Sequence, residues 1–412
     1  MSTSKQNVPI LNLQAQYESI QAELESTILE VLRSGNYVLG KYVTKLEEEV
    51  ATVCDAKFGI GVANGTDALH LALWGLDIGE GDEVITSPFT FAATVEAILM
   101  MRATPVFVDI NPDTFNIDPT KIEAAITPRT KAIIPVHLYG QPADMEQIMK
   151  IAEAHSLKVI EDNAQAIGAN YRGRMTGSFG DCACISFYPT KNLGACGDAG
   201  MIVTNNEELA NRLKALRAHG MTRRYYHDEL GVNSRLDELQ AAALVAKLPY
   251  LSKWNKRRNE IADRYNELLA NCPQIVLPKR SETASLGSGI IFTHVWHQYT
   301  IRVVSDNYGN KLSNGARQTL LDTLAKADIG SMCYYPVPMH MQKPFAGDYK
   351  YGDFPESEKA AAEVLSLPMY PELTDEQVVA VAEAVNKAMA EASAGVTIST
   401  PVSTFPGCLS GS

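Results

Sequence analysis

The chain has 412 residues, 46% of them hydrophobic, enough for a sizeable core and two domains. Its formal net charge of −12 excludes the broad basic face that a nucleic-acid backbone requires. The start, MSTSKQNVPILNLQAQYESI, has no apolar run behind a basic flank, and no stretch is long and apolar enough to span a bilayer, so a cytoplasmic protein with no membrane partner is expected.

Residues 1–57 read as helical: YESIQAELESTILEVLRSG has the 3.6-residue period, with Gly35 as its C-cap. From 58 to 204, β-type runs alternate with helical patterns. FGIGVA, DEVITS, TPVFVDI, KAIIPV, KVIED, CACISFY and GMIVT are the strands; TDALHLALWGL, FAATVEAILMM, DPTKIEAAI and ADMEQIMKIAEAHS are the helices. Such alternation predicts an α/β fold, a largely parallel sheet covered by helices. The last two runs have no helix between them, so a hairpin there would make the sheet mixed. Residues 206–271 read as helices around the loop HGMTRRYYHDELGVNSRLD.

A smaller C-terminal domain is expected from about 250, with strands HQYTIRV and GSMCYY and helices ARQTLLDTLAKA and DEQVVAVAEAVNKAMAEA. The glycine-rich loops SETASLGSG and SDNYGNKLSNG are expected to be exposed, and residues 391–412 to be a disordered tail. The seven cysteines are scattered, and Cys182-x-Cys184 has no second pair at zinc spacing. Reduced thiols and no metal site are expected.

Ligands of open α/β sheets bind beyond the carboxyl ends of the strands. Five segments meet that edge: Asn64-Gly65-Thr66-Asp67, PFTFAAT, His137, Asp162 and Lys191. In NGTDAL, Gly65 permits a tight turn, Thr66 or Asp67 caps the next helix, and the first-turn amides favour a phosphate. An ordinary N-cap would look the same. Neither G-x-x-x-x-G-K-[ST] nor G-x-G-x-x-G occurs, so nucleotide hydrolysis and dinucleotide binding lack their usual signals. Asp162, ending an apolar strand, is either a strand-exit cap or the counter-ion of a buried cation. Lys191 is either a loop lysine or a desolvated amine; its apolar, glycine-rich flanks and the nearby Ser186 and Asn192 favour the second. One ligand accounts for the set: pyridoxal 5′-phosphate, with its phosphate, an aldehyde for lysine, a ring nitrogen for aspartate and a face for Phe89 or Phe91.

NGTDAL, PFTFAATVEAI, VIEDNAQAIGA, SFYPTKNLGACGDAGMIVT and GVNSRLDELQAA together resemble the DegT/DnrJ/EryC1/StrS family of pyridoxal-phosphate-dependent sugar aminotransferases, from about residue 8 to 388. The resemblance implies a fold-type I aminotransferase. Residues 1–249 would form a large domain with a mixed seven-stranded sheet, and 250–390 a smaller α+β domain. It also implies a homodimer with shared active sites. Lys191 would bond the cofactor's aldehyde, Asp162 pair with the ring nitrogen, Gln165 lie by the ring and Phe91 stack on its other face. Gly65, Thr66 and Ser186 would hold the phosphate, Asn233 reach the phosphate of the neighbouring subunit, and Arg235 and Tyr334 lie near the sugar nucleotide.

The implied reaction moves an amino group from an amino acid, L-glutamate by analogy, to a nucleotide-linked keto-sugar. GVNSRLDELQAA and YYPVP resemble the 3-keto branch; a 4-keto substrate, a sugar dehydratase and a non-catalytic regulatory relative are the alternatives. Arg223, Arg224, Arg235 and Lys343 are candidates for the nucleotide diphosphate, each with a solvated-surface alternative. The chain departs from the usual pattern at Asn163, Tyr188, Thr190, Cys196 and Ala199. At Tyr334 many relatives have histidine, and the loop at 280–290 is long.

Overall fold

The structure, a computed structural model, describes residues 7–280, 293–304 and 315–393. The two glycine-rich loops, except Gly315, and nearly all of the C-terminal tail lie outside these residues. Three helices come first: α1 (Leu13–Ser19), α2 (Gln21–Ser34) and α3 (Lys41–Val53). Gly35 ends α2 in the left-handed conformation, φ 66°, as its position after the periodic run requires. Next come β1 (Phe58–Val62), α4 (Gly65–Gly75), β2 (Glu83–Thr86), α5 (Ala92–Met100), β3 (Thr104–Phe107), β4 (Thr130–Ile133), α6 (Met145–His155) and β5 (Lys158–Asp162). A short hairpin, β6 (Asn170–Tyr171) and β7 (Arg174–Met175), leads to β8 (Cys182–Ser186), β9 (Gly200–Thr204) and α7 (Glu207–Leu216). The chain continues through a second hairpin, β10 (Met221–Arg223) and β11 (Tyr226–His227), to α8 (Glu238–Lys247), α9 (Leu251–Leu269) and β12 (Ile275–Val276). It closes with β13 (Tyr299–Val303), α10 (Gly315–Lys326), α11 (Pro355–Glu363), β14 (Val364–Leu367) and α12 (Asp375–Ser393).

The main sheet has seven strands in the order β1-β9-β8-β5-β4-β2-β3. All seven predicted runs are in it. β9 pairs antiparallel with both β8 and β1, while β8, β5, β4, β2 and β3 are parallel neighbours. The sheet is therefore mixed, and the missing helix between β8 and β9 is the reason. Side chains alternate between two cores. Ile60, Val62, Cys182, Cys184 and Ile202 pack with α4, α5 and α7. Ala183, Ile185, Met201 and Val203 pack with α3 and α8. Apolar on nearly every face, α4 buries Leu69, Leu71 and Leu73 under the sheet, each side chain contributing about 2 kcal/mol.

A further core runs from Ile261 in α9 through β12–β14, α10 and α12, and takes Val8 from the start of the chain. Leu251, at the other end of α9, packs with the main sheet, so this one helix joins both cores. Its three-stranded antiparallel sheet has the order β12-β13-β14. Two predicted elements differ from the structure. DPTKIEAAI forms two short 3-10 turns, Pro119–Lys121 and Glu123–Ala125, rather than one helix. GSMCYY is not a strand; only Met332 bridges Ser366, because Pro336 and Pro338 interrupt any ladder that would continue. The strand beside it is β14, which leaves α11 with no intervening turn.

Candidate active site

A cavity of about 850 Å³ opens at the carboxyl edge of the main sheet. Gly65, Thr66, Phe91, Asp162, Gln165, Ser186, Lys191 and Tyr334 all line it. They come from five separate stretches; the first four follow, or end, strands of the main sheet, and the fifth brings Tyr334 from the segment beside β14. Asn233 and Arg235 are not among its lining residues. Asn233 is exposed, bridged through its backbone to Ala218. Arg223, Arg224 and Lys343 also lie off the cavity. The two arginines sit in the β10–β11 hairpin, over the rings of Tyr226 and Tyr225.

At one end is the start of α4. Its cap is Asn64, not Thr66 or Asp67: the Asn64 side chain accepts the Asp67 amide at 2.8 Å. Asp67 is used otherwise, accepting the Ser234 hydroxyl at 2.6 Å. Gly65 and Thr66 open the helix, where backbone N–H groups have no carbonyl to bond. A Cβ on Gly65 would lie 2.7 Å from Ser186 Cβ, so only glycine lets the strand end bring Ser186 against this turn. Amides at a helix start beside a hydroxyl form an anion cradle. The glycines of GACGDAG serve a similar close approach: a Cβ on Gly200 would meet the Asn64 carbonyl oxygen at 2.3 Å.

Asp162 ends β5 and is 5% exposed. Thr94 of α5 donates to its Oδ2 at 2.8 Å, and the Ala164 amide to its Oδ1 at 3.2 Å. Burial raises its pKa above the ordinary carboxylate value, opposed by those two hydrogen bonds and by the charge of Lys191. Its neighbour Glu161 points to the opposite face, as the strand period demands. There it accepts the amides of Gly177, Phe179 and Gly180 and bonds His137 Nε2 at 3.0 Å. His137 Nδ1 accepts the Ala143 amide, so this histidine is committed to holding loops.

Lys191 sits in the turn after β8, its amide donating to the Tyr188 carbonyl at 2.8 Å. Among the described residues its ammonium has no hydrogen-bond or ion-pair partner. Burial lowers its pKa from 10.5 to about 8, and the Asp162 carboxylate limits the fall. Asn192 does not serve Lys191: its amide nitrogen turns away to Asn255 Oδ1 and the Val295 carbonyl. Of the two aromatic candidates, Phe91 is 57% exposed on the cavity, whereas Phe89 is buried against Phe115 and Tyr335.

Gln165 is fixed by the Tyr139 amide on its Oε1, 2.6 Å, and donates through Nε2 to the Tyr335 hydroxyl, 3.2 Å. Tyr139 also bonds the Tyr334 carbonyl through its hydroxyl. Thr94, Tyr335, His297 and Gln298 are the lining or supporting residues that sequence reasoning missed. Tyr335 was within reach, as the neighbour of Tyr334 in YYPVP. His297 and Gln298 belong to a sequence-distant strand entry and carry no local signal. The residues present fit pyridoxal phosphate: an anion cradle at one end, a buried carboxylate, and between them a lysine amine without a partner. Cys182 and Cys184 are free and buried in β8, and among the described residues no cluster of metal-ligating side chains occurs.

The model of the DegT/DnrJ/EryC1/StrS aminotransferase family matches residues 18–386. A pleiotropic regulatory protein of Geobacillus stearothermophilus is 51% identical over 90% of this chain and 95% of its own. The UDP-N-acetyl-3-dehydro-alpha-D-glucosamine 3-aminotransferase of Acidithiobacillus ferrooxidans is 46% identical over 94% of this chain and 99% of its own. The solved structure of S. venezuelae DesV in complex with a ketimine intermediate aligns with a TM-score of 0.85 at 43% identity, covering 93% of this chain and 98% of that one. With a shared fold, a matched family model and this edge-of-sheet site, the chain belongs to the DegT/DnrJ/EryC1/StrS aminotransferase family.

Proposed function

We propose that the protein is a pyridoxal-phosphate-dependent aminotransferase that moves an amino group from an amino acid, L-glutamate by analogy, to a nucleotide-linked 3-keto-sugar. The observation that carries this reading is Lys191: an amine without a partner, its pKa lowered to about 8, sharing one cavity with the buried Asp162 carboxylate and the α4 cradle. The activity named for the Acidithiobacillus relative supports a ketone at position 3.

When bound, the cofactor supplies an aldehyde that takes up an amine and a ring that accepts the electron pair left by proton removal. The chain's residues do the rest. Gly65 and Thr66 amides with the Ser186 hydroxyl bind the phosphate. Asp162, fixed by Thr94 and the Ala164 amide, would accept the ring N–H and, as an anion, keep the proton at the ring nitrogen. Lys191 would hold the aldehyde, and its free amine would move a proton at the substrate carbon, a task suited to a pKa near 8. Gln165, locked by Tyr139 and Tyr335, orients the ring edge, and Phe91 covers a face.

Asn233, Arg235 and the β10–β11 arginines fit a homodimer in which each subunit completes the other's site. Their place off the cavity of their own chain supports this. A cytoplasmic location follows the same reading. The core from Ile261 to Met389 supports a smaller domain from about residue 250. The test is spectroscopic. Purified protein should be yellow, glutamate should bleach the colour, and borohydride should fix the cofactor on Lys191. Lys191→Ala that still forms the same reducible adduct at that site overturns the assignment. Colour that ignores every amino acid would favour the regulatory reading suggested by the Geobacillus relative's name.

A further inference from the structure

Two residues before β13, His297 lines the same cavity as Lys191 and is 9% exposed. The other three buried histidines are anchored. His137 is bonded through both nitrogens, His294 Nδ1 accepts the Trp296 amide, and His340, whose Nδ1 is sealed without a partner, is held through Nε2 by Glu358. Among the described residues neither ring nitrogen of His297 has a hydrogen-bond partner, and Nδ1 is sealed from solvent. The sealed Nδ1 is beyond a ligand's reach, which leaves Nε2 as the nitrogen that a molecule in the cavity can meet.

The position is rigid. Val295 donates its amide to the Gly140 carbonyl at 3.0 Å, and Arg258 of α9 holds the Trp296 carbonyl at 3.0 Å. The same 139–140 turn fixes Gln165, so His297 and Gln165 are registered on one piece of backbone. Burial, the Lys191 ammonium and the Arg258 guanidinium hold the His297 pKa well below the usual histidine range, so the ring is neutral at pH 7. A sealed nitrogen tolerates a bare lone pair better than an orphaned N–H. The proton therefore sits on Nε2, the nitrogen left to face the cavity.

We propose that His297 is a substrate-positioning residue whose Nε2–H donates to an oxygen of the molecule bound beside Lys191, the carboxylate of the amino donor or a hydroxyl of the sugar. The inference rests on the aminotransferase reading, in which one cavity must hold both in turn. Among its described lining residues, Lys191 is the single cation. A fixed guanidinium in place of His297 would hold the carboxylate and penalise the uncharged sugar ring; a neutral N–H serves both.

The test compares the holoenzyme with His297→Phe, which keeps a ring without polar atoms, and His297→Gln, which returns an N–H near Nε2. One arm follows the cofactor colour during titration with L-glutamate. The other measures binding of UDP-N-acetylglucosamine, which has no ketone to react, by calorimetry. His297→Phe should keep the cofactor colour yet weaken at least one arm by about tenfold or more, and His297→Gln should restore most of it. The arm that moves identifies the substrate served. Equal behaviour of His297→Phe and the parent in both arms overturns the inference. If His297→Phe does not fold, the smaller His297→Leu takes its place in both arms. A parent that ignores glutamate while His297→Phe loses nucleotide-sugar binding would refute the aminotransferase reading and leave this one standing.

Discussion

The Lys191 amine should titrate far below an ordinary lysine in the cofactor-free protein. Burial disfavours its ammonium and lowers the pKa from 10.5 to about 8, against the pull of Asp162. At pH 7.4 about a fifth of Lys191 is then free amine, against about one part in a thousand for an ordinary lysine, a difference of over two hundredfold. Trace acetylation across pH 6 to 11, read by peptide mass spectrometry against a free lysine peptide, measures this directly. The Lys191 midpoint should fall near pH 8. Asp162→Asn removes the charge that holds the pKa up, so its midpoint should move lower still. The sign extends to stability. Between about pH 8 and 10.5 the unfolded chain binds more protons at this residue than the folded one, so the Lys191 contribution rises with pH through that window. A midpoint at or above pH 10, or an upward move in Asp162→Asn, would refute the argument that desolvation activates this lysine.

Gly65→Ala puts a methyl 2.7 Å from Ser186 Cβ, 3.1 Å from its Oγ and 3.2 Å from its Cα, atoms anchored at a strand end. Cofactor affinity, read by absorbance titration, should fall at least about tenfold, since the phosphate cradle must open; unchanged affinity would separate this turn from the phosphate. Asp162→Asn should bind cofactor yet lose about a hundredfold or more in the rate of glutamate-driven bleaching, because an amide cannot hold the ring proton. Glu238 supports the fold at a distance, its carboxylate accepting the amides of Gly40, Tyr42 and Val43 at 2.9, 2.6 and 3.1 Å. Glu238→Gln should cost roughly 2 kcal/mol in urea unfolding, because charge-assisted bonds at the start of α3 are lost and one amide N–H faces donors. An unshifted midpoint would count against that role.

The seven sheet strands and α4, α5, α6, α10 and α12 were readable because each carries its own period, and the period reports which residues face a core. Lys191 and Asp162 were readable as a pair for a related reason. Asp162 ends β5 and Lys191 lies in the turn after β8, and the ends of parallel strands gather at one edge whatever the strand order. The short segments were not. β14 emerges directly from α11 with no turn residue between, and DPTKIEAAI has helical spacing yet forms two 3-10 turns that meet at Ile122. Asn64 is the cap because α4 begins at Gly65, which puts Thr66 and Asp67 inside its first turn.

Sequence alone determined the layered α/β architecture, the lysine, the carboxylate and the glycine turn, all set by local propensity and by spacing within single elements. Only the tertiary structure decided that β9 inserts antiparallel between β8 and β1. Only it turned Asn192 away from Lys191, kept Asn233 and Arg235 off their own chain's cavity, and left His297 unbonded beside the lysine. Those outcomes depend on which distant segments meet, and a periodic pattern fixes the face a residue presents while leaving its partner to the packing of the whole chain.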